Sequence, residues 1–208
     1  MAKETIKISL TDFIGFVNKV GTAKQNHVRS IKHRDQYLPY KDYYKPIRIA
    51  IQNLHKKLQN KSVLDNVIDE VEENKKNNFR AVIDGYKKFL GRKKFEWIKP
   101  PKKNWTLGDI SITVNPEVGL EEKKKDGSSN FYIVKLYFKD EKIQKSHVDQ
   151  ILTLMEMQLR SKVEEPEVMF ALLDVRKGKL HVKKNHELTE LPLLEGEAKS
   201  FATMWGKL

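Results

Sequence analysis

The sequence predicts an α+β protein, with a helical region over residues 1–91 followed by an α+β core over 92–208. Three observations carry this reading. Apolar residues recur at helical spacing through the first 90 positions, and the period changes to two from Asp109. Two nearly unbroken apolar runs, 131–139 and 168–175, then flank an amphipathic stretch.

Ser9-Leu-Thr-Asp12 has the form of a capping box, followed by Leu10, Phe13, Ile14, Val17 and Val20 on one stripe. This predicts a first helix that runs to about 28–31. A basic, aromatic connector spans 32–45, and Pro46 suits the first turn of a second helix carrying Ile47, Ile51, Leu54 and Leu58. Ser62 reads as the N-cap of a third helix with Val63, Leu64, Val67, Ile68 and Val71. Phe79, Val82, Ile83, Tyr86, Phe89 and Leu90 form the next stripe, stopped by Gly91.

A short strand is expected near Phe95–Trp97, and 99–104 is too proline-rich for helix. Alternation over 109–121 predicts one strand, with Pro116 marking a bulge or edge. Residues 125–130 are turn-like, and 131–139 reads as a central strand interrupted only by Lys135. An amphipathic helix at 144–162 precedes a buried strand at 168–175. A turn at Lys177-Gly178 leads to a short strand at 179–183, and a last helix lies within 195–208.

With 208 residues, 39% of them hydrophobic, the chain can bury a core as one domain or two small ones. Its mean hydropathy of -0.62, its short apolar runs and a polar N-terminus predict a cytoplasmic protein with no membrane partner. The absence of cysteine excludes disulfides, thiolate metal sites and cysteine nucleophiles. The six histidines form no HExxH or i, i+4 pair. Neither a glycine-rich phosphate loop nor a Gly-x-Ser-x-Gly elbow is present.

The net charge of +12 is uneven. Residues 1–100 hold 22 Lys and Arg against 11 Asp and Glu, whereas 101–208 hold 18 against 17. Such asymmetry points to a polyanionic partner, although a lysine-rich surface also serves simple solvation. The candidate phosphate contacts are Arg29, Lys32 and Arg34, then Lys87, Lys88, Arg92, Lys93, Lys94, Lys102 and Lys103. Tyr37, Tyr40, Tyr43 and Tyr44 lie beside the first group. They would either stack on unpaired bases or pack over the helical core. With no helix-turn-helix, zinc-finger or RRM signature, nucleic-acid binding without sequence specificity is the expectation.

The order of elements over 79–176 is α-β-β-β-α-β with a small mixed sheet. In that order the chain resembles the restriction-endonuclease-like, PD-(D/E)XK nucleases. Members of that superfamily place one acid on a strand, an acid-x-Lys tripeptide on the next, and often a Gln on the following helix. The resemblance implies Glu117 or Glu121 as the first acid and metal ligand, Gln150 as the helix Gln, and Lys135 as the lysine. Magnesium or manganese is implied as cofactor only in an active nuclease. The pattern is degenerate here: 132–139 contains no acid, and Ile133 stands two residues before Lys135. The other account of Lys135 is structural, its ammonium led to the surface or paired with Glu117 or Glu121 on the neighbouring strand.

The leading expectation is therefore a basic, nucleic-acid-binding protein with a degenerate nuclease-like core and no cofactor. The alternatives are an active metal-dependent nuclease with a migrated site, or a protein-interaction module of a phage or defence system.

Overall fold

The structure, a computed structural model, describes residues 5–34, 42–183 and 188–208. The chain is α+β. It opens with a strand inside the segment expected to be helical: β1 (Ile6–Ser9) pairs in parallel with β4 (Ile110–Val114). The capping box at Ser9 and Asp12 forms as expected and starts α1 (Leu10–Val17). The predicted first helix is two helices, because Gly21 adopts a φ of 54° and ends the run before α2 (Thr22–Lys32).

Next come α3 (Lys45–Lys56), with Pro46 in its first turn, and a 3₁₀ turn at Lys61–Leu64 capped by Asn60 rather than Ser62. The third helix expected from Ser62 shrinks to α4 (Asn66–Asp69), and α5 (Glu73–Leu90) then runs to Gly91 as read from the sequence.

Two sheets follow. The smaller has the order β1-β4-β3, where β3 (Lys103–Leu107) covers part of the segment read as irregular. The larger has the order β2-β5-β6-β7-β8: β2 (Phe95–Ile98), β5 (Val118–Lys123), β6 (Ser129–Tyr137), β7 (Met169–Asp174) and β8 (Lys179–Val182). The single strand expected over 109–121 is thus divided at Pro116. Before it, β4 serves the small sheet; after it, the Glu117 N–H bonds to Val134 O and β5 enters the large one. Proline has no N–H to continue a ladder, so the break falls there.

β6 is central, antiparallel to β5 and parallel to β7. The parallel pair needs a crossover, and α6 (Lys145–Leu159) supplies it. Alternate residues of the large sheet feed two cores. Val118, Leu120, Val134, Leu136, Ala171 and Leu173 pack with α3 and α5. Ile133, Phe170 and Leu172 pack with α1, α6, the small sheet and α7 (Leu191–Lys207). Residues 1–91 therefore contribute to both faces of the sheet built by residues 92–208. Among the described residues, no helix is long and apolar enough to cross a membrane.

Candidate functional site

Two places gather the chemistry. The first is at the C-terminal half of β6, where Lys135 is 1% exposed on the α1 and α6 side. Register places Glu117 opposite it, one residue before the Val118–Val134 pair. Glu117 Oε1 lies 2.5 Å from Lys135 Nζ, and Glu117 Oε2 accepts the Leu136 N–H at 2.8 Å. The ammonium also donates to Asn115 O at 3.4 Å, while Gln52 donates to Glu117 O at 3.0 Å. A charge this buried needs such a partner, and of the two candidate acids it is Glu117 that supplies it.

Glu121 lies elsewhere. It accepts the Ser129 hydroxyl at 2.7 Å and stands four residues along the extended chain from Glu117, about 13 Å away. The two acids thus have different partners, Lys135 for Glu117 and Ser129 for Glu121. Gln150 is buried on α6, its Oε1 accepts no hydrogen bond among the described residues, and it is not one of the residues lining the Glu117–Lys135 cavity. Among the described residues, no group of three His, Asp or Glu side chains could hold a metal.

What Glu117 and Lys135 do share is a cavity of about 100 Å³ with Thr11, Asp42, Tyr44, Arg48 and Lys139. Arg48 pairs with Asp42 across it. Sequence reasoning missed Asp42, Arg48 and Lys139, because they come from a connector, a helix and a strand end that only the tertiary fold brings together. Of the neighbouring connector tyrosines, Tyr44 is half-buried and Tyr43 exposed. Tyr44 stacks on Phe138 at 4.9 Å, and Tyr43 lies 5.5 Å from Phe79 with its hydroxyl accepting from Asn78. Tyr37 and Tyr40 lie outside the described residues.

The second place is a groove of about 390 Å³ where the C-terminal ends of α3 and α5 meet β2. Lys61, Lys93 and Lys94 line it, with His55, Leu58 and Phe95 below and beside them. Part of this charge has a local job. Two helix C-termini converge here, their carbonyl dipoles favour cations, and Lys61 donates to Gly91 O at 3.2 Å. Lys87 is held by Asp65 at 2.5 Å and Lys93 by Glu122 at 3.1 Å. Lys88, Arg92 and Lys94 are exposed, and their side chains have no partner among the described residues.

The other basic candidates lie apart from this groove. Arg29, Lys32 and Arg34 belong to α2 and its end, on the opposite face of the large sheet. There Lys32 donates to Trp205 O at 2.8 Å and Arg34 pairs with Asp12 at 2.7 Å, while Arg29 reaches Asn26. Lys102 and Lys103 are exposed at the start of β3, in the small sheet. The ten basic candidates thus fall into three groups. Lys61, which sequence reasoning did not single out, joins the group that borders this groove.

Compared with known proteins, the chain matches no family model and no curated protein.

Proposed function

We propose that this protein binds nucleic acid without sequence specificity through the basic groove between α3, α5 and β2. The observation that carries the reading is the presence of Arg92 and Lys94, exposed and without a partner among the described residues, at a groove also lined by Lys61 and Lys93, with Lys88 exposed on the same helix end. Lysine and arginine heads free of carboxylates can exchange counterions for phosphates, which is the sequence-independent part of nucleic-acid affinity. Trp97, half-buried on β2 with Lys56 Nζ 4.7 Å from its ring centre, adds an aromatic surface on the same strand.

The sheet order β2-β5-β6-β7, with α5 before it and α6 as crossover, supports a nuclease-like core. The occupied carboxylates support a core without cleavage: Glu117 is tied to Lys135 and Asp42 to Arg48, leaving a divalent ion no free ligand pair in that cavity.

The test is fluorescence anisotropy with labelled single-stranded DNA, duplex DNA and RNA at two salt concentrations. A parallel magnesium and manganese series is read on a gel. Binding at low salt that weakens steeply as salt rises is the expected result, with the strands intact. Cleavage lost in Glu117→Gln would make the protein an active nuclease instead. No binding at low salt would exclude the groove as a phosphate site and leave an acidic protein as the partner to seek.

A further inference from the structure

The cavity beside Glu117 and Lys135 has a charge imbalance unconnected with the groove. Five cationic side chains surround it or face Lys139 from the adjoining elements: Arg34, Arg48, Lys19, Lys135 and Lys139. The four acids in the same region each hold one of them. Asp12 pairs with Arg34, Asp42 with Arg48, Glu141 with Lys19 at 3.6 Å, and Glu117 with Lys135. Lys139 is the one left over. Its ammonium has no hydrogen bond or ion pair among the described residues, although the side chain is half-buried and lines the cavity.

The position is crowded by other donors. A methyl group placed on Gly15 of α1 would meet His27 Nε2 at 2.8 Å and Lys139 Nζ at 3.1 Å, so both atoms converge on one point of the helix surface. His27 Nε2 is within 2.9 Å of Asp12 O, and an imidazole nitrogen beside a carbonyl oxygen must carry the proton. Burial and Lys139 both push the His27 pKa down, so the ring is neutral and offers no counter-charge. Burial, and then Lys19, lower the pKa of Lys139 in turn, while Glu141 and Asp12, each already paired with another cation, act the other way. An ammonium withdrawn from water beside another lysine is costly unless something negative meets it.

We propose that the cavity binds one small tetrahedral oxyanion of the phosphate class. Lys139 is its counter-ion, and Arg48 and the Thr11 hydroxyl are further donors. Arg48 has N–H groups beyond those turned to Asp42. A volume of about 100 Å³ suits one such anion. It is well below the roughly 300 Å³ at which sites for larger organic ligands begin. Two acids in the same wall disfavour a second negative charge, so the site takes a single anion. Its source is free phosphate or a terminal phosphate carried by a small molecule.

The experiment measures thermal unfolding and phosphorus NMR of the full chain in sodium phosphate against sodium chloride of equal ionic strength. Wild type should unfold at a higher temperature in phosphate and broaden the phosphate resonance. Lys139→Met should lose the stabilisation, with affinity down about tenfold or more, as removal of a charged donor implies. In chloride, Lys139→Met should unfold no lower than wild type, because it removes an unpaired charge; this shows that the variant is folded. A 5′-phosphorylated dinucleotide compared with its unphosphorylated form separates the sources. Stabilisation by the phosphorylated form at lower concentration than inorganic phosphate assigns a terminal phosphate, and the reverse assigns the free ion. Absence of any phosphate effect on wild type overturns the proposal, as does an equal effect on Lys139→Met. Neither result bears on binding at the groove, which the anisotropy assay reads separately.

Discussion

Glu117 and Lys135 neutralise each other across β5 and β6, and Glu117 at the same time closes the backbone ladder by accepting the Leu136 N–H. The pair sits where the chain leaves one sheet for the other, just after Pro116. It therefore joins an electrostatic requirement, a partner for a lysine that is 1% exposed, to a topological one.

Lys135→Met should cost about 3 kcal/mol or more, because it leaves a buried carboxylate without its cation. Adding Glu117→Gln should restore more than half of that loss, since the amide oxygen still accepts from Leu136 while the buried charge is gone. Urea denaturation of the two single variants and the double variant measures this. A double variant as unstable as Lys135→Met would mean that the ammonium itself, and not its charge balance, is what β6 needs.

Gly85 on α5 is a contact point where no side chain fits. A methyl group there would lie 2.0 Å from Val175 O and 2.5 Å from Arg176 O, both backbone atoms just past β7. The turn comes close from the other side as well, through Gly178 at a φ of 62°, whose added methyl would lie 2.6 Å from Gly85 O. Gly85→Ala should destabilise by about 3 kcal/mol or more despite alanine's better helix propensity, because α5 must move off the sheet. Circular dichroism melts would detect the loss, and an unchanged midpoint would show that α5 shifts freely.

Much of the fold was legible because its signals are local. The capping box at Ser9, the stripe ending at Gly91 and the apolar run of β6 each depend on neighbours within one or two turns. β1 was hidden because Ile6 and Ile8 give only two alternating positions, and its partner Ile110 is over a hundred residues away. Pro116 did carry a signal, read as a bulge or an edge, yet a change of sheet has no local signature. The same holds for the site. Lys135 could be matched to a nearby strand acid, whereas the approach of Asp42, Arg48 and Lys139 is a product of packing alone.

His55 supplies a pH dependence. It is buried, its Nε2 lies 2.7 Å from the Tyr86 hydroxyl, and burial lowers its pKa from 6.5 to about 4. The unfolded chain therefore binds a proton that the folded chain refuses between these values. Stability from this residue is complete above pH 6.5 and declines as pH falls toward 4. At pH 5 the loss is about 2 kcal/mol. Urea denaturation at pH 7.5 and pH 5 should show wild type losing that much more than His55→Phe, which does not titrate. Equal losses would mean that the folded protein accommodates the imidazolium.

The last prediction separates cations that are free from cations already engaged. For duplex DNA, each phosphate contact contributes roughly 0.9 to the slope of log affinity against log salt. Replacing Lys88, Arg92 and Lys94 together by Gln should lower that slope by about 3 and weaken binding equally across sequences. Lys32 and Arg34 are basic to the same degree, but one is spent on Trp205 O and the other on Asp12. Replacing them by Gln should leave the slope nearly unchanged and lower the unfolding temperature instead, as α2 loses its hold on α7 and α1. A slope that falls equally in both variant sets would show that net charge, not the groove, attracts the polyanion. The excess of lysine and arginine in the first hundred residues would then act as a diffuse field without a site.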